Sequence, residues 1–409
     1  MMNTEKALIP SRRFPNYHDE KGWKQYKLSD ITSVITDKCG VANLCIETYI
    51  STENILPNYG GIKIASKLPK TGTFTCFKKG DVLFSNIRPY LKKVWLASFD
   101  GVASNDIIVF RALAGFDASF VSCIIKSDAF IAYSMIGAKG VKMPRGDKDM
   151  MLHYDVYVPN IEEQKEIAAC LLFIDSYISS IYEKVEQLKA HKKSLMQKMF
   201  PQKGQTTPVF RFPEFNTEWK KVTLGDIFVE RREHSTITDD LPQLSFTIEE
   251  GVIYPNNKKT NKRDFLINDK DNKKFLVTYI DDIIYNPANV IYGAIHKNSL
   301  CNGVVSPIYK IFSTSQDASF MEYIVRMPEF IQKMSTYMEG TVLKLRTLKP
   351  ESFLKMEVFI APSLAEQRKI AECLSSIDKT IEYYTKKSVI LEQHKKGLMQ
   401  QLFPKLKEL

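Results

Sequence analysis

The stretch PNIEEQKEIAACLLFIDSYISSIYEKVEQLKAHKKSLMQKMFP, residues 159–201, decides how this chain is read, because the chain contains it twice. It returns as PSLAEQRKIAECLSSIDKTIEYYTKKSVILEQHKKGLMQQLFP at residues 362–404, in register and without a gap. Of the 43 aligned positions 20 are identical, and self-similarity at a fixed offset marks a repeated structural unit. Gln164 matches Gln367, Asp175 matches Asp378, and the His-Lys-Lys run at His191 matches the one at His394.

Each copy predicts one long helix. Asn160 with Glu163, and Ser363 with Glu366, have the spacing of capping boxes. A proline precedes each cap, and Pro201 and Pro404 stop the helices. Between those ends the apolar residues step by four and three. The first copy runs Ile167, Leu171, Ile174, Ile178, Ile181, Val185, Leu188 and Leu195; the second runs Ile370, Leu374, Ile377, Ile381, Tyr384, Leu391 and Leu398. That is a heptad seam. Lys192 and Lys395 interrupt it at equivalent positions, as does Ser388 in the second copy, and a polar residue in a seam can fix register and partner. A helix from Gln164 to Phe200 extends about 55 Å at 1.5 Å per residue. The seams are expected to pair with each other as an antiparallel coiled coil with pseudo-two-fold symmetry. The alternative is that each helix packs only on its own globular neighbour.

Outward from the helices the repeat continues. PSRRFPNY (10–17) resembles PVFRFPEF (208–215), and Trp23-Lys24 parallels Trp219-Lys220. Leu28, Asp30 and Ile31 parallel Leu224, Asp226 and Ile227. KKGDVLFSNIRP (78–89) pairs with YIDDIIYNPANV (279–290), and GVASNDIIVF (101–110) with GVVSPIYKIF (303–312). DASF occurs at Asp117 and at Asp317, and each copy predicts an amphipathic helix of about 18 residues. A basic loop follows, AKGVKMPRGDK (138–148) or GTVLKLRTLKP (340–350). Residues 36–75 and 230–274 share little and read as short strands and loops. The expected architecture is therefore α+β and tandem. One recognition domain takes residues 1–158 with a lead at 1–20, followed by a long helix at 159–201. A second domain takes 202–361, followed by a long helix at 362–404 and a tail at 405–409.

At 409 residues and 44% hydrophobic content the chain is long enough and apolar enough for two cores. Its formal net charge of +10 favours an acidic partner such as nucleic acid. The N-terminus lacks a signal-peptide core and no window is apolar enough for a membrane span, so a cytoplasmic protein is expected. Seven cysteines, none in a C-x-x-C pair, fit a reducing compartment with no disulfide framework and no structural zinc. Cys170 and Cys373 occupy equivalent positions beside the seam, as small apolar fillers.

Catalytic motifs are missing. There is no Walker A loop, no H-E-x-x-H, no G-x-S-x-G and no G-x-G strand–turn–helix. Asn286-Pro287-Ala288-Asn289 is similar to the Asn-Pro-Pro-aromatic motif of amino-methyltransferases, but it lacks the second proline and the stacking ring. His191 and His394 sit in basic helical runs and read as solvated helix ends. The reading is of a non-catalytic recognition and scaffolding chain. Its candidate DNA contacts are loop cations, amides and aromatics, which suit phosphates, guanine and adenine edges. In the first domain these are Ser85, Asn86, Arg88, Tyr90, Lys92, Lys93, Lys139, Lys142 and Arg145. In the second they are Tyr285, Asn286, Asn289, Tyr292, Lys297, Lys344, Arg346 and Lys349. Two other classes compete: a stand-alone methyltransferase or nuclease, and a structural or RNA-binding coiled-coil protein.

The combination resembles the specificity subunit of type I restriction–modification enzymes. The resemblance is carried by P-x-x-x-E-Q-x-x-I-A-x-x-L at Pro159 and Pro362, and by F-P-x-F-x-x-x-W from Phe212 to Trp219. The G-D-V-L-F-S turn at Gly80 and the G-x-V-S-P-x-Y run at Gly303 add to it. The lead from Phe14 to Trp23 departs by two extra residues. The resemblance covers essentially the whole chain. It implies that each domain reads one half of a split, asymmetric double-stranded DNA site, and that the paired helices set the gap. It also implies docking of two modification subunits and of restriction subunits. Candidate docking and coiled-coil positions are Gln164, Ile167, Leu171, Ile174, Ile178, Ile181 and Leu188, with Gln367, Ile370, Leu374, Ile377, Ile381 and Leu391. No cofactor is implied for this chain. S-adenosylmethionine belongs to the modification subunit, and ATP with Mg2+ to the restriction subunit.

Overall fold

A computed structural model describes residues 8–202, 204–257, 274–340 and 346–404. The chain divides into two compact units, one of Met1–Val185 with Tyr383–Leu409 and the other of Glu186–Glu382. The division cuts through both long helices, Ile161–Met199 and Leu364–Leu402, each 39 residues long. Each unit therefore contains one globular domain, the start of the helix that follows it, and the end of the other helix.

In the first unit the central sheet is antiparallel, in the order Thr32–Val34, Ile107–Ala112, Val82–Ser85, Val94–Leu96. Strand period two sends alternate residues to opposite faces. Val82, Phe84, Ile108 and Phe110 enter one core cluster, while Leu83, Ile107 and Val109 enter another. Apolar cover on both faces explains why Asp81-Val82-Leu83-Phe84 is a continuous apolar run after its acidic start, rather than an alternating one. Asp81 is itself buried, and Arg111 on the neighbouring strand clasps it with two hydrogen bonds of 2.7 Å. A second sheet, Lys38–Gly40, Thr73–Phe77, Gly101–Ala103 and Tyr49–Ile50, ends in a parallel pair. Gly101 has no alternative there, because a Cβ would lie 2.3 Å from the Thr48 carbonyl oxygen.

The second unit repeats the first sheet as Phe228–Glu230, Lys310–Thr314, Ile283–Tyr285, Ile295–Lys297. Arg231 clasps the buried Asp282 as Arg111 clasps Asp81. Gly303 is again forced, with a Cβ 2.6 Å from the Pro242 carbonyl. The other sheet differs. Among the described residues it has three strands, His234–Ser235, Phe275–Thr278 and Gly303–Val305, beside a separate hairpin of Ser245–Thr247 and Gly251–Ile253. Of these strands, His234–Ser235, Ser245–Thr247 and Gly251–Ile253 fall in the stretch that does not align between the repeats.

The single 18-residue helices expected after the DASF motifs are broken. Ala118–Ile125 and Asp128–Ile136 meet at 61°, because Ser127 accepts the Phe130 amide and caps a new helix. In the second repeat Ala318–Val325 is followed by Pro328–Thr336, where the proline sits at the first position of the new helix. No single helix among the described residues is long and apolar enough to cross a membrane.

The capping boxes are half formed. Asn160 and Ser363 do accept the amides of Glu163 and Glu366. The glutamate side chains turn away from the caps and are buried instead. Glu163 receives Arg13 through two hydrogen bonds of 2.8 and 2.7 Å and the Trp23 indole at 3.4 Å. Glu366 receives Arg211 at 2.7 and 2.8 Å and the Trp219 indole at 3.1 Å. The bidentate fork satisfies a carboxylate that burial would otherwise penalise. Glu366→Ala strands Arg211 and the Trp219 N–H inside the fold, so urea unfolding of the variant is expected to show a loss of about 3–5 kcal/mol. A loss below about 1 kcal/mol would mean the pair is solvated and structurally idle.

Candidate nucleic-acid interface

Two loop segments that are distant in sequence meet in the first domain. Strand Val82–Ser85 ends in a short 3-10 turn, Pro89–Leu91, flanked by Arg88 and Lys92 in the left-handed region at φ 52° and 54°. The basic loop 138–148 closes against this turn. Arg88 donates its amide to the Pro144 carbonyl at 2.8 Å, and Gly146 donates to the Asn86 carbonyl at 3.3 Å. Lys139 and Arg145 pair with each other through both backbone groups. Asn86, Arg88, Tyr90, Lys139, Lys142 and Arg145 therefore lie in one loop cluster, with Tyr90, Lys139, Lys142 and Arg145 exposed. Asn86 Oδ1 and Arg88 Nε are buried without a hydrogen-bond partner.

Other candidates in that domain already have partners. Ser85 is buried and its hydroxyl donates to the Ile87 carbonyl. Lys92 pairs with Asp128 at 2.5 Å, Arg145 with Asp106 at 2.8 Å, and Lys93 donates to the Thr52 carbonyl at 2.6 Å. Ser85 is thus a correction: inside a strand covered on both faces, it presents nothing to a ligand.

The second domain builds the same junction from different residues. The turn Val290–Tyr292 follows Asn289, and Gly293 takes the left-handed position that Lys92 holds in the first domain. Leu348 donates its amide to the Pro287 carbonyl at 3.0 Å, tying the second basic loop to the turn. Tyr292 and Arg346 are exposed, with Arg346 donating to the Gly340 carbonyl. Asn286 accepts the Ala288 amide, which fixes the turn, and Asn289 is half-buried. Lys297 pairs with Asp281 and Lys349 with Glu339. Lys344 lies outside the described residues. Tyr285 is a second correction. It is fully buried, stacks on Phe312 at 5.8 Å and donates to the Leu348 carbonyl, so it supports the loop from beneath.

The helix positions also divide. Gln164 and Gln367 are buried clasps rather than docking surface. Gln164 accepts the Asp117 amide and donates to the Pro159 carbonyl. Gln367 accepts the Asp317 amide and donates to the Ala361 carbonyl. The DASF and Glu-Gln motifs are thus two halves of one joint between domain and helix. Ile167 and Leu171 belong to the first domain's core, and Ile370 and Leu374 to the second's, because each helix starts against its own domain. Ile178, Ile181 and Val185 are buried farther along. Ile174, Leu188, Ile377, Ile381 and Leu391 are partly exposed.

Helix pairing is visible within each unit. In the first, Lys395 pairs with Asp175 and the Tyr182 hydroxyl donates to Glu392 at 2.7 Å. In the second, Lys192 grips Asp378 at 2.6 and 2.7 Å, and the Tyr323 hydroxyl donates to the same carboxylate. Within the first unit the partner numbers fall on one helix as they rise on the other, from Asp175–Lys395 to Tyr182–Glu392, so the helices run antiparallel there. The two lysines that interrupt the seam are the register-fixing residues, and the repeat exchanges their partners. The helix ends carry a role that sequence reading missed. Met199 and Phe200 join the second domain's core, and Leu402, with Leu398 and Phe403 against it, joins the first's. The recurring Leu-Met and Phe-Pro at 195–201 and 398–404 was the available signal.

Among the described residues no group of three or more His, Cys, Asp or Glu side chains could hold a metal ion. A family profile described as type I restriction modification DNA specificity domain matches residues 20–190. The chain is 28% identical over 314 residues to the type I restriction enzyme MjaVIII specificity subunit of Methanocaldococcus jannaschii, an alignment covering 67% of this chain and 69% of that one. It is 27% identical over 286 residues to a protein of the same organism named for the MjaX specificity subunit, covering 65% of this chain but 62% of that relative's length. The crystal structure of a type I restriction–modification S subunit from M. genitalium superposes with a TM-score of 0.62 at 15% identity, over 98% of this chain and 100% of the other. Repeat, fold and sequence likeness converge: the chain matches the type I restriction modification DNA specificity domain over residues 20–190 and is similar to type I restriction enzyme specificity subunits.

Proposed function

We propose that this chain is the DNA-recognition subunit of a type I restriction–modification complex, reading a bipartite, asymmetric duplex site and scaffolding its methyltransferase and restriction subunits. The observation that carries the reading is the repetition of one scaffold with unlike loops. The two Glu-Arg-Trp clusters and the two Gln–Asp joints are duplicated to the residue, and both domains bury the equivalent aspartates Asp81 and Asp282, clasped by arginines from different strand positions, Arg111 and Arg231. The turn residues and the second sheets are not. A duplicated frame with divergent loops suits two readers of different half-sites, since specificity lies in side chains that reach base edges.

In this reading the chain performs no covalent step. Methyl transfer belongs to modification subunits holding S-adenosylmethionine, two per complex, and ATP with Mg2+ serves the restriction subunits, all in the cytoplasm. The long helices offer those subunits exposed aromatic residues, among them Phe173 and Tyr177 on the first and Tyr383 on the second. This chain's own contribution is positional. Loop cations and amides hold duplex DNA, and the antiparallel helices, registered by Lys192–Asp378 and Lys395–Asp175, set the number of unread base pairs. Each helix of 39 residues extends about 58 Å, so the gap is bounded by roughly 17 base pairs.

Removing one matched heptad from both helices between the two ion pairs is expected to shorten the gap while both half-sites stay the same. Methylome sequencing of cells carrying the variant with its methyltransferase partner reads both quantities at once. Altered half-sites with an unchanged gap would contradict the proposal.

A further inference from the structure

A segment outside the duplicated motifs completes the first domain's loop cluster. Residues 51–63 dock on the Pro89–Leu91 turn through backbone hydrogen bonds, Asn58 N–H to the Leu91 carbonyl and Tyr59 N–H to the Lys92 carbonyl, both 3.0 Å. Asn58 and Tyr59 adopt left-handed φ of 54° and 61° to make that contact. The buried Asn54 side chain fixes the far end by donating to the Lys63 carbonyl at 3.2 Å. Lys63 is thereby held by its main chain and left with an exposed ammonium. The half-buried Lys93 ammonium donates to Thr52 at the base of the same segment.

These cations are assembled against their own repulsion. Burial pushes the Lys93 ammonium below the usual lysine range, and the charges of Lys63 and Arg88 push it further, with Glu53 acting the other way. Arg88 makes one long hydrogen bond, 3.5 Å to the Lys142 carbonyl, and leaves its Nε without a partner. Three cations held together, one of them partly desolvated, form an arrangement that an anion stabilises. Among the described residues the second domain does not repeat it. Asn289 stands where the first domain has Arg88, Gly293 where it has Lys92, and the buried Ala294 where it has Lys93.

Building on the DNA-recognition reading above, the geometry points to Lys63, Arg88 and Lys93 as a phosphate-binding cluster of the first domain, gripping the duplex backbone. Phosphate contacts set position on the duplex and carry no base information. They release counterions, so each one steepens the dependence of log K on log salt by about 0.9.

The test is binding of the full chain to a short duplex across a salt series, followed by fluorescence anisotropy. Lys63→Gln and Arg88→Gln are each expected to flatten the slope by about one unit, and Lys63→Arg to restore it. In cells supplying the methyltransferase partner, the methylated motif is expected to be the same for Lys63→Gln as for the unaltered chain. Unaltered protein that fails to bind duplex DNA would overturn the DNA reading itself. Full slopes in both Gln variants, beside an unaltered chain that binds, would overturn the cluster alone, as would a changed motif.

Discussion

Trp23 and Phe120 need a third ring to close the core of the first domain, and it comes from the far end of the chain. Phe403 lies 6.0 Å from Trp23, edge-on, and 5.5 Å from Phe120, stacked. The second domain solves the same problem with Phe200, at 6.0 Å from Trp219 and 5.5 Å from Phe320. A buried aromatic or leucine side chain is worth roughly 1.5–3 kcal/mol of burial, so a domain without these residues forfeits several. Neither core is complete in its own contiguous stretch. Each recruits the start of the helix that follows it and the end of the other repeat's helix. This explains why the helices keep their terminal apolar residues so closely: those residues belong to a core, and only the middle of each helix is free to be a spacer.

Around each such core sits a buried carboxylate with two donors. Glu163 and Glu366 stand on the first turns of the helices and take hold of the lead segments through Arg13 and Arg211. A buried ion pair adds little net stability compared with apolar packing, but losing one partner is costly. Its use here is orientation. The carboxylate, the indole and the guanidinium align only when lead, domain and helix are in their native positions. The glutamine one residue later does the same for the DASF helix. The joint is stiff and repeated, whereas the loops above it differ.

The duplication, the long helices and the α+β domains were legible in the sequence because each leaves a periodic or repeated trace. The register-fixing role of Lys192 and Lys395 was legible too, as interruptions of a regular seam. Less could be read of residues whose role depends on a partner far away in the chain. Glu163 has the spacing of a capping residue, and nothing local reveals that Arg13 will claim it. Gln164 looks like a surface amide on a helix, yet the Asp117 amide makes it a clasp. Tyr285 and Ser85 follow an apolar strand and precede a polar loop, and only the sheet's double cover shows that they face inward. Lys63 lay in the stretch without an internal counterpart, where comparing one half with the other gives no guide. What the repeats share was readable by their agreement, and what distinguishes them required the folded chain.

The most direct test of this account is amide hydrogen exchange, followed by mass spectrometry, on the full chain carrying Leu402→Asp with Phe403→Asp. Charges at those positions cannot enter an apolar core without a heavy penalty. The account predicts lost protection in the strands Val82–Ser85 and Ile107–Ala112 and the helix Ala118–Ile125, with Ile283–Tyr285 and Ala318–Val325 protected as before. Unchanged protection in the first domain, or a loss confined to the last turn of the second long helix, would contradict it.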